Sequence, residues 1–253
     1  MESLKLVDIT PENATIQTFF CIKNTANPGF KKKHQWFNNS YKDGLRMKIL
    51  KGEEERAIGY IEYLPAEYAW RPIDAPGYMF VHCITIHSLK DRNTGFGSRL
   101  LEVCLDDARK NNMAGVCAMT SKGSWITDDR LFSKNGFIEI DKRDRFELMV
   151  NKFDSKATDP SLIDWTLNHH KYQGWHLLYA DQCPWNEKSM LDIKKVADEY
   201  DIKLNITKIS TVEEARNSPS GFGVFSLLYN GKLLEEHYIS QTRFRNIVEK
   251  HTP

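Results

Sequence analysis

Residues 92–98 have the composition of a loop that binds a phosphate group. They read Arg-Asn-Thr-Gly-Phe-Gly-Ser and lie between an apolar run at 78–86 and a helical pattern that begins near Leu101. A strand, a glycine turn and a helix in this order leave the first amides of the helix unpaired, and the helix dipole adds positive potential there. The sequence therefore predicts a phosphate or pyrophosphate site built from Arg92, Asn93, Thr94, Gly95, Phe96, Gly97 and Ser98.

The loop lacks the features of two commoner phosphate motifs. A P-loop has Lys and then Ser or Thr after its last glycine, whereas Ser98 and Arg99 follow Gly97. A dinucleotide fingerprint has Gly or Ala three residues after its second glycine, where this chain has Leu100. The pattern that remains, Arg-x-x-Gly-x-Gly, resembles the acyl-CoA-binding signature of the GNAT superfamily of N-acyltransferases. A plain surface turn is the alternative for these residues taken alone.

A second phrase extends the resemblance. Residues 131–137 read Leu-Phe-Ser-Lys-Asn-Gly-Phe, which is similar to the phrase ending in Gly-Phe that GNAT domains carry on a helix. The resemblance covers about residues 1–155. It implies an α/β (α+β) fold with a mixed, mostly antiparallel sheet, acetyl-CoA as co-substrate and no metal. The implied reaction moves an acetyl group to a primary amine of an unidentified small molecule or peptide.

The resemblance also implies where the thioester and the base would lie. Main-chain donors for the acetyl carbonyl would come from Ile84, Thr85 and Ile86, at the end of the strand predicted over 78–86. A general base must reach the amine and titrate near neutrality, and the candidates are Glu62, then His82, then Glu67. Each has a plain structural alternative: a solvated strand carboxylate, a hydrogen-bonded core histidine and a loop salt bridge, respectively.

The general acid departs from the family pattern. Many GNAT enzymes place a tyrosine in the phrase before Gly-Phe, and Phe132 stands in that place here. Because phenylalanine cannot donate a proton, the departing thiolate must be protonated by water or by Tyr63, Tyr68 or Tyr78. Otherwise the domain binds acyl-CoA without turning it over.

Three aromatic residues are candidates for the acceptor groove. Trp36 lies on a predicted amphipathic helix over 28–41, and Tyr68 and Trp70 lie in an aromatic loop at 65–76. Packing of these rings on the core is the alternative. Such a groove could frame an amino acid, a polyamine, an aminoglycoside or a peptide N-terminus equally well.

The last eighty residues repeat none of this pattern. Their predicted order of elements, βαβ, helix, ββα, resembles a thioredoxin-like fold, with Cys183 before a helix and Asn186 where a resolving cysteine would stand. A GNAT domain followed by such a domain resembles the YoaP-like acetyltransferases. We expect a GNAT domain at 1–157, a linker at 158–173 and a thioredoxin-like domain at 174–253.

Local signals predict several further elements. Thr10, Pro11 and Glu12 favour a helix running to about Cys21. Thr127 is expected to cap a short helix, Thr211 and Glu214 to form a capping box at the start of another, and Asn230-Gly231 to turn a hairpin.

Composition narrows the function classes. The 253 residues carry a net charge of +1 with acids and bases interspersed, so no nucleic-acid footprint or basic membrane patch is predicted. Five scattered cysteines lack zinc spacing and fit a reducing cytoplasm. Three hypotheses remain: an N-acetyltransferase, a CoA-binding regulatory or scaffold protein, and a thiol-active protein that works through Cys183.

Overall fold

The computed structural model describes residues 4–17, 19, 21–22, 24–123 and 125–251. Within these ranges the chain forms thirteen β-strands, which are β1 Lys5–Ile9, β2 Arg46–Lys51, β3 Ala57–Pro65, β4 Ile73–Asp74, β5 Tyr78–Ile86, β6 Gly115–Ser121, β7 Ile138–Arg143, β8 Phe146–Lys152, β9 Ser161–Leu162, β10 Trp175–Ala180, β11 Leu204–Ile209, β12 Phe225–Tyr229 and β13 Lys232–Glu235.

The same ranges contain seven α-helices, which are α1 Ala14–Gln17, α2 Pro28–Lys42, α3 Phe96–Lys110, α4 Arg130–Lys134, α5 Trp185–Glu199, α6 Val212–Arg216 and α7 Gln241–His251. Four short 3₁₀ turns cover Glu53–Glu55, Ala66–Tyr68, Leu89–Asp91 and His169–Lys171.

The first helix is shorter than predicted. The backbone turns at 11–13 because the Asn13 side chain accepts from the Thr10 amide at 2.9 Å and donates to the Asp8 carbonyl at 2.9 Å. These bonds delay the helix, which begins at Ala14. Residues 18 and 20, which belong to the predicted helix, and residue 23 beyond it lie outside the described residues.

A seven-stranded sheet organises the N-terminal half of the chain. Its strand order is β1-β2-β3-β5-β6-β8-β7, and only the central pair of β5 and β6 is parallel. The mixed, mostly antiparallel α/β class predicted from the sequence is therefore confirmed. β1 lies at one edge of the sheet.

Helix α3 covers one face of this sheet. Its apolar residues Leu101, Cys104 and Leu105 pack in one buried cluster with strand residues such as Ile61 and Val81. The Tyr63 hydroxyl donates a hydrogen bond to the Asp107 carboxylate of α3, which fixes which side of β3 faces the helix. Since strand side chains alternate, Tyr60 and Glu62 point to the opposite face.

A four-stranded sheet lies in the C-terminal part, in the order β11-β10-β12-β13. β10 pairs parallel with β11 and antiparallel with β12, and β12 pairs antiparallel with β13. Asn230 and Gly231 turn the last hairpin with φ of 47° and 75°, which the predicted Asn-Gly turn requires. Thr211 and Glu214 form the predicted capping box of α6.

The contacts divide the chain into two units that are not contiguous in sequence. The first contains Met1–Lys23, Phe37–Ala69 and Ile73–Leu162, and the second contains Asn24–Trp36, Trp70–Pro72 and Ile163–Pro253. Two short segments of the N-terminal half therefore belong to the C-terminal unit, a division that differs from a linear cut near residue 157.

Asn186 joins the ends of two strands within the C-terminal unit. Its fully buried amide nitrogen donates to the Ala180 carbonyl at 3.0 Å and to the Val224 carbonyl at 2.8 Å. The side chain thus links the end of β10 to the segment that enters β12. Asn186, which stands where a thioredoxin-like fold would have its resolving cysteine, is therefore a structural cross-link.

We predict that Asn186→Ala lowers the free energy of unfolding by about 2 kcal/mol, because a buried carbonyl loses its donor. Urea unfolding measures the change. Asn217→Ala is the matched control, since its exposed amide donates only to the Glu213 carbonyl at 2.9 Å, and it should cost less than about 0.5 kcal/mol. Equal losses of unfolding free energy in the two variants would contradict the role of Asn186 as a cross-link.

Candidate active site

The two parallel strands at the centre of the large sheet separate partway along their length. Tyr78 to Val81 of β5 pair with Gly115 to Ala118 of β6, and no further pair is registered although β5 continues to Ile86 and β6 to Ser121. On this side of β5 the Ile84 carbonyl accepts from the Thr127 hydroxyl at 3.3 Å. Thr127 therefore does not cap α4 as predicted, and Asp129 stands at that position without a side-chain cap.

A bulge displaces β5 beside this opening. Glu62 of β3 pairs with Cys83, but the next residue, Tyr63, pairs with Val81, so His82 has no counterpart in β3. An inserted residue turns two neighbouring side chains to one face of a strand. His82 and Cys83 consequently share the face that points away from α3, together with Tyr60 and Glu62.

The glycine loop presents unpaired amides at the start of α3. Gly95 is the N-cap with φ of 93°, and the first intrahelical bond runs from the Arg99 amide to the Gly95 carbonyl at 3.0 Å. Among the described residues, the amides of Phe96, Gly97 and Ser98 find no acceptor. A Cβ placed on Gly95 would have no atom within 4 Å, so the space beside the loop is open.

Side chains hold this loop against the end of β5. The Arg92 Nε donates to the Ile86 carbonyl at 3.3 Å, and the Thr94 hydroxyl donates to the Asp91 carbonyl at 2.6 Å. The Arg56 guanidinium lies 2.5 Å from the Asp91 carboxylate and holds the pKa of that carboxyl below its usual range. The start of the loop is thus tied to the end of β5.

The two sequence motifs meet at the first turn of α3. The Asn135 side-chain amide donates to the Ser98 hydroxyl at 3.0 Å. A Cβ placed on Gly97 would lie 3.2 Å from the Leu131 side chain, so this glycine permits close packing of α3 on α4. The phrase at 131–137 therefore supports the helix end that would hold the phosphate.

Glu62 and His82 form a buried pair on the face opposite α3. The Glu62 Oε1 lies 3.5 Å from the His82 Nδ1, and both side chains are essentially inaccessible to solvent. The Phe80 ring meets the His82 ring edge-to-face at 5.4 Å. Glu67 lies elsewhere: it is exposed, and its carboxylate accepts from the Gly77 amide at 2.6 Å. The structure thus brings together two of the three candidate bases.

Phe132 belongs to the core of the N-terminal unit. It is buried beneath α4 and meets Phe137 edge-to-face at 5.2 Å. Tyr63 donates to Asp107 on the α3 side, and Tyr78 is buried at the start of β5, where burial raises its pKa. Tyr68 is exposed. Of these three tyrosines, none pairs with Glu62 or His82 in the contacts among the described residues.

A hydroxyl–thiol pair that the sequence reasoning missed lies beside Glu62. The Tyr60 hydroxyl and the Cys83 Sγ are 2.8 Å apart across β3 and β5. Burial, and then the neighbouring Cys83, Cys21 and Glu62, raise the pKa of Tyr60 well above its usual value. The alternation of β3 groups Tyr60 with Glu62, but the bulge that turns Cys83 toward them has no local sequence signal.

The predicted acceptor aromatics fall in different units. Trp36 and Trp70 belong to the C-terminal unit, where their buried rings meet edge-to-face at 5.7 Å. Tyr68 belongs to the N-terminal unit and is 43% exposed. A role for these residues in acceptor binding stays a prediction.

All five cysteines are described, and none of them forms a disulfide. Cys104 and Cys117 are fully buried, and burial raises the pKa of both thiols. Cys21, Cys83 and Cys183 are half-buried. Cys183 precedes Pro184, the N-cap of α5.

Metal and membrane signals are absent from the described part of the chain. No group of three or more His, Cys, Asp or Glu side chains there could hold a metal ion. No helix within the described ranges is long and apolar enough to cross a membrane.

Comparisons with known proteins give the following matches. Residues 203–246 match a family model described as YoaP-like. The chain is 26% identical over 248 residues to the uncharacterised N-acetyltransferase YoaP of Bacillus subtilis strain 168, covering 96% of this chain and 97% of that protein.

Solved structures show a weaker likeness. A GNAT-family acetyltransferase of Staphylococcus aureus Mu50 has a TM-score of 0.42 at 14% identity, over 60% of this chain and 100% of that one. An acetyltransferase candidate of Salmonella typhimurium, yncA, solved with acetyl-CoA, has a TM-score of 0.44 at 16% identity, over 62% and 97%.

The name of the near full-length relative, an N-acetyltransferase, agrees with the resemblance carried by the motifs at 92–98 and 131–137. The thioredoxin-like assignment of the C-terminal part stays a prediction. The chain is thus similar over nearly its whole length to the N-acetyltransferase YoaP, and over residues 203–246 to the YoaP-like family model.

Proposed function

We propose that this protein is an acetyl-CoA-dependent N-acetyltransferase. The observation that carries the proposal is the separation of β5 from β6 directly beside the unpaired amides of the α3 N-terminus. A pantetheine arm needs main-chain partners along an opened strand, and a pyrophosphate needs free amides at a helix start. The homologue's name, N-acetyltransferase, points to the same chemistry.

The residues of this chain would divide the binding of acetyl-CoA between them. The amides of Phe96, Gly97 and Ser98 face the pyrophosphate, with Arg92, Asn93, Thr94 and Gly95 shaping the loop. The free edge of β5 at Ile84, Thr85 and Ile86 serves the thioester. Donors aimed at the oxyanion of a tetrahedral intermediate can contribute about 3 kcal/mol.

Glu62, supported by His82, would serve as the base. The amine nitrogen must lose a proton before or while it attacks the acetyl carbonyl carbon, and a buried carboxylate beside an imidazole can accept it. The carbon–sulfur bond then breaks, and its electron pair stays on the CoA sulfur. Glu67 is less suited, because its carboxylate already accepts from the Gly77 amide.

We propose a primary amine of a small molecule or peptide as the acceptor. The alternative is a CoA-binding regulatory or scaffold protein, which the phenylalanine at position 132 favours because its ring has no proton to give to the departing thiolate. Turnover of acetyl-CoA with a panel of primary amines, monitored through the release of free thiol, separates the two functions. An acetyltransferase releases CoA as a free thiol, and a protein that only binds CoA does not.

Gly95→Asp should weaken acetyl-CoA binding at least tenfold, about 1.4 kcal/mol, because it adds a negative charge where the pyrophosphate would bind. A Cβ at this position would have no atom within 4 Å, so we expect the effect to come from the charge and from the φ of 93°. Isothermal titration calorimetry measures the affinity.

Gly174→Asp is the matched control for this change. Gly174 has a similar φ of 77° and equally open space, but it lies in the C-terminal unit. The affinity of the Gly174→Asp protein for acetyl-CoA should equal that of the native protein. An unchanged affinity in a folded Gly95→Asp protein would remove the glycine loop from the proposed site.

Glu62→Gln should lower kcat by about two orders of magnitude with acetyl-CoA affinity intact, because glutamine keeps the shape and cannot accept the proton. The assay is run near pH 7, where aliphatic amines are still protonated and need a base. Glu102→Gln, on the exposed side of α3, is the control. Turnover near that of the native protein would transfer the role to His82, Glu67 or solvent.

A further inference from the structure

The departing thiolate of CoA lacks the tyrosine hydroxyl that the resemblance to the GNAT superfamily implies on α4. Phe132, which stands in that place, is buried against Phe137. The proposed reaction must still deliver a proton to sulfur, and the opened edge of β5 is where that sulfur would come to lie. A donor is therefore expected on β5 or on the strand beside it.

Four titratable side chains of β3 and β5 contact one another on the face opposite α3. They form two contacts across the strand pair, Glu62 with His82 at 3.5 Å and Tyr60 with Cys83 at 2.8 Å. Cys83 is the half-buried member of the set, whereas the others are buried. It also immediately precedes Ile84, the first residue of the free edge proposed for the thioester.

We propose, on the basis of the proposed acetyl transfer, that the Cys83 thiol donates the proton that the departing CoA thiolate takes up, and that Tyr60 is its positioning residue. As the carbon–sulfur bond breaks, the Cys83 S–H proton moves to the CoA sulfur. The Cys83 thiolate that remains accepts a hydrogen bond from the Tyr60 hydroxyl. The proton taken from the amine by the base then restores the thiol through solvent.

Three physical features favour this assignment. Proton transfer between two alkyl thiols is close to balanced in free energy, which suits a general acid. Tyr60 keeps its proton, since burial raises its pKa, so it acts as a donor to the thiolate. Glu62 and His82 on the same face, and Cys21 from the segment after α1, are the other titratable groups that the structure places around the pair.

The first measurement is alkylation of Cys83 by iodoacetamide, followed by peptide mass spectrometry of the full chain with and without saturating acetyl-CoA. Acetyl-CoA should slow the labelling of Cys83 at least tenfold. The fully buried Cys104 and Cys117 should remain unlabelled in both samples and serve as internal controls. Unprotected Cys83 in protein that binds acetyl-CoA would overturn the proposal.

The second measurement is the dependence of kcat on pH, using the primary amine of the panel that the native protein acetylates fastest. Cys83→Ala should bind acetyl-CoA normally and lose at least tenfold in kcat. It should also lose the alkaline limb of the pH profile, which is the fall in kcat at high pH that marks deprotonation of the acid. Tyr60→Phe should keep that limb but move it about half a pH unit or more upward, because the thiolate loses a hydrogen bond. A merely structural role for Tyr60 would leave the limb in place.

Cys183→Ala is the matched control, since it removes a half-buried thiol of the C-terminal unit and should leave kcat and its pH profile unchanged. Circular dichroism checks that each variant is folded. A Cys83→Ala protein with the native kcat and alkaline limb would overturn the proposal. Absence of acetyl-CoA binding in the native protein, or binding without turnover on any amine, would instead remove the proposed function, and with it the proton step.

Discussion

The candidate site depends on one backbone constraint, the separation of β5 from β6 after four paired residues. A strand in the middle of a sheet has N–H and C=O groups on both sides, and each buried group needs a partner. Beyond Val81, β5 keeps its bonds to β3 but has no registered pair in β6. The Thr127 hydroxyl meets the Ile84 carbonyl, and the remaining edge is where an extended ligand can supply the missing partners.

Hydrogen bonds hold the glycine loop and the motif at 131–137 in fixed positions near the end of β5. Arg92 ties the loop to Ile86 at the end of β5, and Asn135 ties the first turn of α3 to α4. The free amides of α3 are consequently fixed relative to the free edge of β5. If both elements bind the proposed acetyl-CoA, this fixed arrangement lowers the ordering cost of binding.

Local signals in the sequence predicted most of the elements. Apolar alternation, glycine turns and the Thr211 to Glu214 capping box act over a few residues, and the structure contains the strands, α3 and α6 that they indicated. The chemistry was predicted less completely. The sheet pairing that places Glu62 beside His82 is not local, and the bulge that turns Cys83 toward Tyr60 depends on how β5 meets β3.

The domain boundary was the least accessible feature, because it depends on contacts between distant segments. Residues 24–36 and 70–72 belong to the C-terminal unit through tight backbone packing at two glycines. A Cβ on Gly29 would lie 1.7 Å from the Pro184 carbonyl oxygen, and one on Gly223 would lie 2.9 Å from the Trp70 carbonyl oxygen. Any other residue at either position would have to displace backbone, which a close-packed interior resists. Glycine is therefore required there by a partner far away in sequence, and no window of neighbouring residues can reveal such a requirement.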